Sequence, residues 1–136
     1  MDKLVTGLSG ESQTVVAKAN TAKHLGSGGV EVFATPEMVR LMERAGVAAV
    51  DHLLPEGQRT VGVALDVKHL AATPLGMTVT ARAELVTVEG RRLTFRVEAF
   101  DDVEQVGEGT HQRYIVDVAR FQGRIEKKCE AMEGLG

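Results

Sequence analysis

The stretch TPEMVRLMERAGVAAVDHLLPEG (residues 35–57) decides the fold. Thr35 suits a helix N-cap, Pro36 the first helical position, where a missing N–H costs nothing, and Glu37 the positive helix start. Pro55 and Gly57 close the segment, so the pattern predicts a helix over residues 36–54. At about 100° per residue, Glu37, Arg40, Arg44 and Asp51 gather into one polar stripe. Most of the remaining positions, from Met38 and Leu41 to Val50 and Leu54, are apolar. A sheet has to wrap around a helix with so narrow a polar stripe.

Working outward, residues 1–11 are small and polar without a period and are expected to be frayed. Residues 12–19 read as a first strand, and Gly26-Ser27-Gly28-Gly29 as a flexible loop. After the helix, residues 60–72 alternate, with Val61, Val63, Leu65 and Val67 on one face and Asp66 and Lys68 on the other. Pro74-Leu75-Gly76 turns the chain into a second alternating run, residues 77–88. Glu89-Gly90 makes a hairpin turn before Leu93, Phe95, Val97 and Ala99 line one face of the next strand. A last strand over 106–118 and a charged helix over 121–132 complete the chain. The order is strand, long helix, then four strands read as a meander. One helix cannot cover both faces of five strands, so the sheet must curl. The fold expected is α+β: a five-stranded antiparallel sheet wrapped around one central helix, the hot-dog arrangement. Its long strands leave edges that a second copy would protect, so a homodimer is expected.

Composition narrows the function. The 136 residues suit a single domain over 1–136, with 43% hydrophobic and 26% charged residues. A lone cysteine, Cys129, rules out an internal disulfide. The four histidines (24, 52, 69 and 111) are too scattered for a zinc motif, so no metal or cofactor is expected. A net charge of −3 and the absence of tryptophan argue against nucleic acid as a partner. No apolar run approaches a membrane span, and MDKLVTGLSGESQ lacks the apolar core of a signal peptide. The location expected is cytoplasmic.

Three polar residues stand where the pattern does not need them. Glu43 lies roughly 100° from the polar stripe, between Met42 and Ala45. It is either a rim carboxylate or a functional one, since an unpaired buried carboxylate is costly. His69 falls on the same face as Val67, as a bonded core histidine or an acid/base group. Thr35 has a capping role, yet it stands at a helix start whose free N–H groups favour developing negative charge. His24, His52 and His111 read as surface residues, and Gly107-x-Gly109 lies in a strand-like run rather than a phosphate loop.

Several separated motifs carry a resemblance. Val32-Phe33-Ala34-Thr35, Met38-Val39 with Leu41-Met42-Glu43, and Val67-Lys68-His69-Leu70-Ala71-Ala72-Thr73-Pro74 resemble motifs of the fluoroacetyl-CoA thioesterase family within the hot-dog superfamily. Val88-Glu89-Gly90-Arg91-Arg92-Leu93 and Gly109-Thr110-His111-Gln112-Arg113 continue it, in order, over residues 20–122. The resemblance implies an acyl-CoA thioesterase that hydrolyses a short acyl-CoA to free acid and CoA. It places the catalytic threonine, glutamate and histidine on Thr35, Glu43 and His69. It also implies that the Gly62 backbone meets the thioester and that Arg113 contacts the substrate. The chain departs from the fluoroacetyl-specific pattern before Phe33: that enzyme has aromatic residues over the acyl pocket, where this chain has Gly26-Ser27-Gly28-Gly29-Val30. A non-catalytic acyl-CoA-binding protein is the alternative. A hydratase or dehydratase fits less well, because the Asp and His pair usual after the first strand is missing.

Overall fold

The computed structural model describes residues 3–135. Five strands form one sheet: β1 (Ser9–Val15), β2 (Gln58–His69), β3 (Thr78–Glu89), β4 (Arg92–Phe100) and β5 (Gln105–Asp117). A short helix α1 (Ala22–Leu25) precedes the long α2 (Thr35–Val50), which runs into a single 3-10 turn at Asp51–Leu53; α3 (Val118–Leu135) ends the chain. The sheet order is β1-β3-β4-β5-β2, with every pair antiparallel. The core is the inner face of this curled sheet against α2. Met38, Leu41, Met42, Ala45 and Ala49 of the helix meet Val79, Ala81, Ala83 and Leu85 of β3 and Leu93, Phe95 and Val97 of β4, all buried.

Three sequence expectations are corrected. The meander holds for β3, β4 and β5, but β2 pairs with β5, not with β3. Residues 70–77 therefore cross the sheet instead of making a hairpin, and β2 is left as an edge. The frayed stretch expected over 1–11 is not frayed where it is described: Ser9–Glu11 pair with β3, and Leu4 is buried. Gly10 is the reason β1 can lie there. A Cβ at that position would come within 2.5 Å of the Ala45 carbonyl oxygen and the Ala49 nitrogen, so only glycine lets the strand press against α2. Residues 1 and 2 lie outside the described chain.

The third correction concerns β2. Thr60 pairs with Ile115 and Gly62 with Arg113, but Ala64 then pairs with Gln112 and Leu65 with His111. Val63 is an extra residue, a β-bulge, and it shifts the side-chain alternation by one. Thr60, Gly62, Leu65, Val67 and His69 share the inner face, while Val61 and Val63 line an outer groove with Tyr114, Val116 and Phe121. The strict alternation read from Val61 to His69 is thereby broken in the middle.

Glycines also explain why β5 lies so close to the helix. At Gly107 a Cβ would meet the Met42 Cε at 3.1 Å, so Met38 and Met42 fill the space a side chain would occupy. The Gly107-x-Gly109 pair is a packing device in the strand. Among the described residues no helix is long and apolar enough to cross a membrane.

Candidate active site

Two clusters emerge, one at each end of the β2 inner face. The first is at the start of α2. Ala34 is extended and its carbonyl accepts from the Met38 N–H at 3.1 Å, so Thr35 is already the first helical residue. This corrects the expected N-cap role of Thr35, with Pro36 one place further in. Released from capping, the Thr35 hydroxyl lies 2.7 Å from His69 Nδ1. His69 is half-buried at the end of β2, and its Nε2 is buried without a protein partner among the described residues. Such an orphan costs about 1–3 kcal/mol, and beside a cavity it is a group that a bound molecule can satisfy. Desolvation holds the His69 imidazole below its usual pKa, so the ring is neutral at pH 7.

A cavity of about 360 Å³ opens beside this pair, lined by Val32, Phe33, Thr35, His69, Leu70 and Ala71 among others. Its rim comes from α1 and the loop that follows. Gly26 takes the left-handed conformation (φ 73°) that ends α1, and residues 27–31 are exposed. Two isolated bridges, Thr21 to Phe33 and Val32 to Pro74, pin the far end of that loop.

The second cluster is two turns along α2. Glu43 is 44% exposed and its Oε2 stands 4.0 Å from Arg113 Nη1. Gly62 lies beneath it: a Cβ there would be 2.8 Å from Glu43 Oε2 and 3.2 Å from His111 Cε1. Arg113 is buried, donating from Nε to the Thr60 hydroxyl at 2.8 Å and from Nη2 to the Thr60 carbonyl at 3.0 Å. Its Nη1 donates to His111 Nε2 at 3.1 Å. A guanidinium can only donate, so His111 Nε2 accepts and its Nδ1 carries the proton, given to the Ala64 carbonyl at 2.9 Å. Burial is the main cause that lowers the His111 pKa and keeps it neutral; the Ala64 bond opposes it, the Arg113 cation adds to it, and Glu43 opposes it least. Burial is also the main influence lowering the Arg113 pKa, with Asp51 and Glu43 opposing it.

His111 was expected at the surface and is buried against Phe95 with ring centroids 6.3 Å apart. Its place was readable from the alternation it shares with Arg113 and Ile115. Within one chain, Thr35 meets His69, and Glu43 meets Gly62 and Arg113. The two sets are not brought together: Thr35 and Glu43 are eight residues apart on one helix, about 12 Å of rise.

Comparison with known proteins matches residues 16–119 to the family described as fluoroacetyl-CoA-specific thioesterase. The fluoroacetyl-CoA thioesterase of Streptantibioticus cattleyicolor is 48% identical over 101 residues, 74% of this chain and 73% of that protein. A solved structure of a fluoroacetyl-CoA thioesterase, 41% identical, superposes with a TM-score of 0.85 over 93% of this chain and 98% of its own. A Thermus thermophilus hypothetical protein described as a thioesterase superfamily member is 30% identical, with a TM-score of 0.91 over 98% of this chain and 99% of its own.

Proposed function

Since the chain belongs to the fluoroacetyl-CoA-specific thioesterase family, we propose that its two clusters, one from each of two copies, hydrolyse short-chain acyl-CoA esters. The protein is a hot-dog thioester hydrolase, and acyl-CoA is its substrate class. The observation that carries the assignment of residues is the 2.7 Å bond between Thr35 and His69 at the mouth of a cavity under the helix start. There the Thr35 N–H and the positive end of α2 can stabilise the oxyanion of an attacked thioester, since Pro36 has no N–H and those of Glu37 and Met38 bond the Ala34 carbonyl. Glu43 takes a proton from water, whose oxygen attacks the carbonyl carbon. The carbon–sulfur bond then breaks, and the proton reaches the CoA thiolate through His69, whose ring Thr35 orients. Gly62 presents its backbone to the thioester, and Arg113 contacts the substrate.

The same geometry supports a reading of the assembly. In a homodimer the β2 edges pair about a two-fold axis lying between Gly62 and His69. These residues are on the same face of β2, so that axis sets Glu43, Gly62 and Arg113 of one copy beside Thr35 and His69 of the other. Exposed Val47 on α2 (37%), one turn beyond Glu43, supports the reading, since a second copy at the β2 edge would cover it. The domain spans the whole chain as a single unit, and the enzyme works in the cytoplasm.

Substrate range is set by the loop over the cavity. Gly26, Gly28 and Gly29 put no side chain over an acyl group, so contacts that would discriminate one small acyl group from another are missing. A missing apolar contact changes preference by about 1–3 kcal/mol without abolishing catalysis. Fluoroacetyl-CoA and acetyl-CoA are therefore expected to show kcat/KM values within about tenfold of each other. Thiol release across a small acyl-CoA panel checks both points. A fluoroacetyl preference of about a thousandfold would contradict the open loop. Binding of the esters with no thiol release would leave a binding protein instead of an enzyme.

A further inference from the structure

Arg113 is a buried cation that hydrogen-bonds no carboxylate: Asp51 reaches it only through Thr60, and Glu43 stands 4.0 Å away. The Thr60 hydroxyl has a single proton, given to Asp51 Oδ1 at 2.6 Å, and the Thr60 N–H donates to Asp51 Oδ2 at 3.2 Å. With its proton committed, the Thr60 oxygen turns its lone pairs to Arg113 Nε at 2.8 Å. The Thr60 carbonyl and His111 Nε2 take the other two arms of the guanidinium. Glu43 is left at 4.0 Å, outside hydrogen-bond range and part-exposed to solvent.

We propose that Asp51 and Thr60 are positioning residues that anchor the Arg113 guanidinium away from Glu43, leaving that carboxylate free to act as the base. The proposal rests on the reading of Glu43 given above. Asp51 sits at the far end of α2, where the helix gives way to the 3-10 turn, and makes no contact with the Thr35–His69 pair. Its influence therefore travels Asp51 to Thr60 to Arg113 to Glu43. Without the Asp51 anchor, the Thr60 hydroxyl can rotate, its hold on Arg113 Nε loosens, and the guanidinium is free to move toward Glu43, already its nearest carboxylate. A guanidinium then closes on Glu43 in a two-pronged pair, which makes the carboxylate a poorer proton acceptor.

Asp51→Asn, Thr60→Val and Thr60→Ser, each made alone and together with Glu43→Gln, test this in the full-length protein. Asp51→Asn and Thr60→Val are expected to lower kcat about tenfold or more while KM stays within about twofold, and Thr60→Ser to restore it. In the Glu43→Gln background neither change should lower the residual kcat further, because the group they act through is already gone. Equal losses in both backgrounds would overturn the proposal, as expected of residues that only support the fold. Wild-type kcat in Asp51→Asn and Thr60→Val, beside a disabled Glu43→Gln, would overturn it too. Native turnover in Glu43→Gln alone would instead overturn the assignment of Glu43, and this single variant separates the two failures.

Discussion

Glu43→Gln is expected to fold as the native chain does and to turn over acyl-CoA about a hundredfold or more slowly. The side chain keeps its shape and loses its charge, so only functions that need a proton acceptor are removed. Folding should survive because Glu43 contributes little to it. The carboxylate is 44% exposed and 4.0 Å from Arg113, outside hydrogen-bond range, so the amide loses no bond that the carboxylate makes. Arg113 keeps Thr60 and His111 as partners. Steady-state thiol release with a thermal melt on the same preparation separates the two effects. A native kcat would return Glu43 to the role of a rim carboxylate.

The second large effect is at His69. His69→Gln is expected to reduce kcat/KM about a hundredfold or more, and the native enzyme should lose activity toward acid. The sign follows from the ring's surroundings. Desolvation lowers the His69 pKa beneath 6.5, and the ring must be neutral to take a proton. Activity is therefore steady at pH 7 and falls as pH drops through a value below 6.5. Stability moves the same way. His69 and His111 both bind protons less readily folded than unfolded, chiefly through burial. Below 6.5 the unfolded chain takes up protons first, so stability declines until the folded-state values are passed. A pH–rate profile and melts from pH 8 to 5 would check this. An acid limb above 6.5 would contradict it.

Much of the site could be read along the chain because its members break local patterns. Glu43 interrupts an apolar helix flank, and His69 continues the inner-face alternation of Leu65 and Val67 to the point where Thr35 waits. Long-range geometry was harder to see. The bulge at Val63 leaves no mark in composition, since Val61, Val63, Leu65 and Val67 alternate as well as any regular strand. The pairing of β2 with β5 depends on which edges meet after the sheet curls, and local turn signals favoured its nearest neighbour in sequence. Gly10 looked like a feature of a loose N-terminus and proves to be the place where a strand presses on a helix. The anchoring of Arg113 joins Asp51, Thr60 and His111 from three elements, so no spacing rule could assemble it.

In the proposed dimer each active site is shared between two copies. Mixing the two disabled variants tests it most directly. Each copy of Glu43→Gln keeps Thr35 and His69, and each copy of His69→Gln keeps Glu43. After unfolding and refolding together in equal amounts, random pairing gives half mixed dimers. Each mixed dimer holds one site built wholly from native residues, so activity should return to about a quarter of the wild-type value. If the refolded mixture is no more active than the two variants refolded apart, the three residues work within one chain and the shared site is wrong.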